Sequence, residues 1–240
     1  MDEVGIARAL TNSAAAARGI TRSKLGSNYT RVLHGVHVHN SVEPTLEVRC
    51  AAAVLVLPGD ATFSDLTAVE LLELPRPFGV RRSRPLDVTV SPPIDRPVGR
   101  GVRGYRRQLH PAEVTVIGGV RVTTAARTFI DLAPVLDEPN LVVVGDAILR
   151  KGQASLASLE AAIRAAEGRR GVVRARRAVM RLDCRSASAP ESLLLVRIED
   201  AGLPRPALNV DVYDSCGGWI ACPDMLRRLL EVRAPWMLDN

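Results

Sequence analysis

Three acids near the end of this chain, Glu191, Asp224 and Glu231, are suited by type and position to converge on a hard divalent cation. Hydrolysing a phosphodiester with Mg²⁺ needs two or three carboxylates on the metal and a basic group to position water or stabilise developing charge. Glu191 stands at a helix start, Asp224 follows Pro223 on a strand, and Glu231-Val232-Arg233 imitates an acid–x–base pair with arginine in place of lysine. If Arg227-Arg228 formed a two-residue turn, Asp224 would face Glu231 across the ladder at roughly 5 Å. Arg-Arg is poor chemistry for such a turn, however, and arginine does not act as a general base. The structural readings are a dipole-favoured acid for Glu191 and an ordinary strand-end acid for Asp224. Catalysis at these positions is therefore an expectation of a degenerate site, with Glu191 and Asp224 as the metal ligands if the site is intact.

A second chemistry is phosphate binding. The 240-residue chain carries 32 Lys and Arg against 26 Asp and Glu, a net charge of +6, and all of its cations but Lys24 and Lys151 are arginine. Arginine matches phosphate bidentately, so a polyanionic partner is indicated. Arg22, Lys24, Tyr29 and Arg31 cluster near the N-terminus. Nine arginines fall between Arg76 and Arg107 against Asp87 and Asp95. Arg170, Arg174, Arg177 and Arg181 share one face if Gly168 to Asp183 is a helix, with Val173 and Met180 turned to the core. The run from Arg76 to Arg107 is equally readable as the solvated rim of a small sheet, and the N-terminal cluster as part of a helical hairpin used for packing. The Arg170 to Arg181 ridge is the first candidate for nucleic-acid contact, its alternative being a solvent-facing helix that bridges two domains. His34, His37 and His39 lack a nearby carboxylate or thiol, so they read as strand histidines rather than metal ligands. Cys50, Cys184, Cys216 and Cys222 match no zinc or redox spacing and read as thiols, with a Cys216–Cys222 contact left open.

The elements that must hold these residues are legible from caps and periodicity. Val4 to Leu10 reads as helical, and Thr21 caps a short helix over Arg22 to Leu25. Tyr29 to His39 alternates around a turn at His34-Gly35. Two helices follow, Pro44 to Leu57 and Ser64 to Leu74. Leu86 to Ser91, Gly101 to Gln108 and Val114 to Val122 read as strands, the last folded at Gly118-Gly119. Helices then run from a cap at Thr123 or Thr124 to Leu132, from Glu138 to Arg150 and from Ser155 to Ala166. Composition turns small and polar at Cys184 to Ala189, which marks a boundary. Beyond it, Ser188 opens a helix closed by Gly202 and Pro204, and Ala207 to Tyr213 and Trp219 to Met225 form a hairpin. No apolar run is long enough to span a bilayer and no signal peptide is seen, so a cytoplasmic protein is expected.

The stretches Gly19-Ile20-Thr21-Arg22 and Tyr29 to Val38, then Val120 to Thr128 through Asp131-Leu132-Ala133, and Val144 to Arg150, resemble AbiEi-type antitoxins of type IV toxin–antitoxin systems. The tail, with Pro190-Glu191-Ser192, Ala201 to Pro206 and Trp219 to Asp224, is similar to very-short-patch-repair endonucleases of the restriction-endonuclease-like superfamily. The resemblance implies an α+β chain. Residues 1–40 would be a winged helix-turn-helix, 41–185 an α/β middle region with a helical connector, and 186–240 a restriction-endonuclease-like core that ends early. It implies a regulator that binds double-stranded DNA and acts as an antitoxin, with a cognate toxin encoded nearby. The other readings are a Mg²⁺-dependent DNA endonuclease and a basic protein-interaction module. No cofactor is expected apart from Mg²⁺ under the nuclease reading.

Overall fold

The computed structural model describes residues 9–81, 85–223 and 225–226. Among them the chain is a mixed α+β protein with nine helices, a three-stranded antiparallel sheet and a six-stranded mixed sheet. No helix among the described residues is long and apolar enough to cross a membrane.

The N-terminal unit begins with β1 (Ala9–Thr11), α1 (Asn12–Ala17) and α2 (Arg22–Asn28), followed by β2 (Tyr29–Leu33) and β3 (Val36–His39). Thr11 and Thr21 cap the two helices, their hydroxyls accepting from the Ala14 and Lys24 amides. Such a cap satisfies one of the amides that a helix start leaves unpaired. The sheet order is β1-β3-β2, with Leu10 opposite His37. Ala9 and Leu10 thus belong to a strand, not to the helix expected over Val4 to Leu10, because Val36 to Val38 offers them an open edge. The rest of that expected helix lies outside the described residues.

Next, α3 (Leu46–Val54) starts at the Thr45 cap and buries Cys50 to Ala53 in the core that also holds Val36 and Val38. The central sheet is made of β4 (Thr62–Phe63), β5 (Leu86–Val90), β6 (Val98–Gly99), β7 (Val102–Arg106), β8 (Val114–Ile117) and β9 (Val120–Thr123). Its order is β6-β7-β5-β4-β9-β8, with β5–β7 and β4–β9 parallel. Every residue of β5 is buried, as a central strand covered on both faces should be. Between β4 and β5, α4 (Asp65–Leu71) packs on the sheet. Ser64 holds the N-cap position of α4, yet its hydroxyl donates to Asp65 and accepts from Thr89 instead of capping the helix.

A helical layer follows, formed by α5 (Ala125–Leu132), α6 (Glu138–Arg150), α7 (Leu156–Ala165) and α8 (Val172–Val179). Thr124, Asp137 and Ser155 cap the first three. Leu141 to Val144, Ala147 and Ile148 bury α6 almost entirely; each full-sized aliphatic side chain stabilises by roughly 1.5–3 kcal/mol. The helix expected over Gly168 to Asp183 is shorter and turned differently. Gly171 is left-handed ahead of it, Val172, Ala175 and Ala178 face inward, and Val173 and Met180 are 61% and 84% exposed. The expected core positions are thus surface positions, because small alanines fill the tight contact.

The last helix, α9 (Ala189–Asp200), packs on α6 and buries Leu195 and Val196. Arg150 donates to the Ser186 carbonyl at 2.6 Å, and the Asp183 amide donates to Asp146 Oδ1 at 2.7 Å. These bonds bridge the boundary expected at Cys184 to Ala189. Beyond α9, β10 (Ala207–Leu208) pairs with β13 (Met225–Leu226), and β11 (Val212–Tyr213) pairs with β12 (Trp219–Ala221). The four cysteines form no disulfide among the described residues.

Asp146 has a measurable consequence. It is fully buried on α6 and its Oδ2 has no hydrogen-bond partner among the described residues. Burial pushes its carboxyl from 3.8 up to about 6. Because the folded value lies above the unfolded one, the native state holds an extra proton between these pH values, and stability falls as pH rises from about 4 to about 6. Asp146→Asn keeps an acceptor for the Asp183 amide and removes the titration. We expect its stability relative to the wild type to improve by ~1–3 kcal/mol between pH 4 and pH 7 in urea unfolding. A difference that stays constant with pH would refute this account.

Candidate functional site

Exposed cations gather on the N-terminal unit. Arg22 and Lys24 lie in the first turn of α2, exposed, with no side-chain partner among the described residues. Arg31 on β2 is held by the Leu33 carbonyl at 3.3 Å and by His34 Nδ1 at 2.7 Å. Tyr29 meets His39 edge to face, ring centroids 5.2 Å apart. A cleft of about 430 Å³ runs between α1, α2 and the β2–β3 turn, with Arg22, Arg31, His34 and His37 on its walls. A shallower one, about 290 Å³, continues from Arg31 and His34 to Arg100 and Gly101 at the β6–β7 turn. The two share Arg31 and His34, so one basic surface extends from α2 across the hairpin to the central sheet. Burial and the neighbouring Arg31 lower the His37 pKa, which keeps its imidazole neutral near pH 7.

The arginine face of the connector is largely occupied. Arg174 donates to the Ala133 and Leu136 carbonyls at 2.7 and 2.6 Å, satisfying the C-terminal end of α5. Arg177 pairs with Glu138 at 3.2 Å. Arg181 is a hub: it reaches Glu138, Glu199 and Asp200, each at 2.9 Å, and the Val196 carbonyl. These bonds tie α6 to α9. Arg170 is exposed and unpaired among the described residues, and it sits outside α8.

In the tail, Glu191 is engaged at the start of its own helix. Its oxygens accept from the Ala187 amide at 2.9 Å, the Ser188 hydroxyl at 2.6 Å and Asn209 Nδ2 at 3.3 Å. Ser188 Oγ in turn accepts from the Glu191 amide, so the acid serves the helix start. Despite some burial, these hydrogen bonds lower its pKa. Asp224 and Glu231 lie outside the described residues. Among the described residues no three His, Cys, Asp or Glu side chains are grouped to hold a metal. Glu191, the one candidate ligand among the described residues, has its oxygens engaged in hydrogen bonds at the helix start.

A buried charge network among the described residues was not visible in the sequence. Arg107 donates to Asp65 at 2.6 and 3.2 Å, and its Nη1 is 3.4 Å from Asp131. Arg127, 2% exposed, meets Asp131 through Nε at 3.0 Å and Glu113 through Nη1 at 2.7 Å. Its Nη2 is buried without a partner among the described residues. Asp65 has φ +48, a conformation that a non-glycine residue rarely adopts. Burial pushes Asp131 from 3.8 to about 6, against the pull of Arg107 and Arg127. Arg107 also stacks over the Tyr105 ring, 4.0 Å from its centroid. Beside this network opens a cleft of about 570 Å³ lined by Tyr105, Arg107, Ile130, Asp131, Arg169 and Arg170 among others. The one local signal was the Arg127–Asp131 spacing, four apart on an apolar helix.

No family model matches the chain. It is similar to two proteins of Mycobacterium tuberculosis, uncharacterized protein MT2308 of strain CDC 1551 / Oshkosh and uncharacterized protein Rv2248 of strain ATCC 25618 / H37Rv. Each is 33% identical over 118 residues, a stretch covering 48% of this chain and 44% of the relative. The chain thus spans less than half the length of the curated relatives it matches.

Proposed function

We propose that the chain binds double-stranded DNA through its N-terminal unit and acts as an antitoxin-like transcriptional regulator. The observation that carries this reading is the exposed, internally unpaired Arg22 and Lys24 on α2, next to a three-stranded sheet with a projecting β2–β3 turn. Two short helices and such a sheet are consistent with a winged helix-turn-helix, in which the second helix enters the major groove and the hairpin flanks it. Arg31, His34 and Arg100 would then follow the phosphates beside that groove. Tyr29, packed against His39, would fix the base of the hairpin.

The restriction-endonuclease-like reading of the tail draws no support from Glu191, whose oxygens are engaged in capping. A toxin encoded nearby belongs to this proposal as its biological setting.

Fluorescence anisotropy with the chain's own promoter and a scrambled duplex, each at two salt concentrations, is the test. Wild-type protein should prefer the promoter and lose affinity steeply with salt. Arg22→Ala/Lys24→Ala should weaken binding at least about tenfold and reduce the salt slope by roughly 2, since each removed cation neutralised about one phosphate. Affinity equal to wild type in that variant would sink the proposal.

A further inference from the structure

We propose that the cleft beside the buried arginine–carboxylate network is a binding site for a nucleoside monophosphate. This goes beyond DNA binding and does not depend on it. At about 570 Å³ the cleft is of small-molecule size. Its walls supply three different chemistries at fixed places.

The first is a pair of uncompensated cations. Around the cleft, Arg107, Arg127 and Arg174 are committed to carboxylates or carbonyls. Arg169 and Arg170 on the rim are exposed and unpaired among the described residues. Adjacent free guanidinium groups are suited to a phosphate, which they bind with charge-assisted hydrogen bonds. Their lip is held in place on its C-terminal side. Gly171 lies so close to Ala133 and Pro134 that a Cβ there would be 2.5 Å from the Pro134 nitrogen. Arg174 clamps the same segment through the Ala133 and Leu136 carbonyls. The backbone that carries the two cations is thus anchored beside the cleft, while their exposed guanidinium groups have no partner among the described residues.

The second chemistry is a flat, weakly polar surface. Ile130, Pro134 and Val135 form an apolar side, and the stacked Tyr105 ring and Arg107 guanidinium form another. Surfaces of this kind accept the face of a nucleobase. The third is Asp131 at the inner end. Its carboxylate is paired with Arg107 and Arg127, and it offers an acceptor to a ribose hydroxyl or a base N–H, while the phosphate is left to the two rim arginines. An anion at one end, a planar body and a donor at the other describe a nucleotide.

The test is isothermal titration calorimetry of the full chain with each of the four ribonucleoside 5′-monophosphates and with inorganic phosphate, at low salt. At least one nucleotide should bind, with inorganic phosphate at least about tenfold weaker because it lacks the planar body. Arg169→Ala/Arg170→Ala should lose about tenfold or more in affinity. Both side chains are exposed, and an unchanged circular-dichroism spectrum and unfolding midpoint will show that the fold is kept. Arg22→Ala/Lys24→Ala should bind the nucleotide as the wild type does, which separates this site from the DNA surface. Binding of no nucleotide, phosphate as tight as the nucleotides, or an unaffected Arg169→Ala/Arg170→Ala variant would each overturn the proposal.

Discussion

Arg127→Met is expected to destabilise the protein by ~3–5 kcal/mol at pH 8, the cost of leaving buried carboxylates without their cation. Arg127 is the largest fully buried side chain among the described residues and serves Asp131, Glu113 and the Gln108 carbonyl together. Methionine fills much of the volume, so the loss is mainly electrostatic. The effect should depend on pH in a defined direction. Asp131 already titrates at about 6 in the native protein, and removing Arg127 raises it further. At pH 5 the carboxyl takes a proton and the missing cation matters less, so the destabilisation should shrink. Urea unfolding at both pH values measures this, and an equal loss at pH 5 and pH 8 would refute it. Adding Asp131→Leu should recover part of the loss, since removing both partners costs less than orphaning one. The exposed pair Arg176–Glu167, with side chains 48% and 80% accessible, supplies the contrast. Removing Arg176 should change stability by no more than about 1 kcal/mol.

That contrast bears on how much of this protein its sequence discloses. Local signals were reliable. Thr21, Ser155 and Ser188, and Thr124 of the Thr123-Thr124 pair, each accept from the amide three residues on, as their positions ahead of periodic segments foretold, whereas Ser64 does not. Gly118-Gly119 makes the β8–β9 turn with φ +53 and +78. What failed was short or phase-dependent. The strands β4 and β6 are two residues long, too short to show alternation. On α8 the left-handed Gly171 sets where the helix starts, and the inward face is carried by Ala175 and Ala178 rather than by the larger Val173 and Met180.

The candidate sites divide along the same line. Arg22, Lys24 and Arg31 could be chosen because a cap, a helix and a turn place them within one local unit. The charged network could not, since Asp65 and Arg107 are 42 residues apart in sequence and meet only after β4, β5 and β7 are paired. Charge alone also overcounted the ligand surface: Arg174 and Arg181 look like phosphate contacts in a sequence but serve carbonyls and acids of the chain itself. An arginine's function depends on whether its partner is internal, and that is a tertiary fact.

Gly171→Ala should cost ~2–4 kcal/mol, and comparison with Gly168→Ala shows why. Both glycines are left-handed, at φ +88 and +77, so alanine at either position pays about 1 kcal/mol of backbone strain. At Gly168 a Cβ meets nothing within 4 Å, and that strain is the whole cost. At Gly171 the Cβ would lie 2.5 Å from the Pro134 nitrogen and 2.6 Å from the Ala133 carbonyl carbon, and neither is a side chain that can swing aside. The backbone must separate, which also strains the bonds from Arg174 to Ala133 and Leu136. Urea unfolding of the two variants isolates the contact: equal losses would mean that the close approach of the lip to α5 contributes nothing. If Gly171→Ala does cost more, the Arg169–Arg170 lip must have shifted, and nucleotide affinity should fall in that variant while Gly168→Ala retains it.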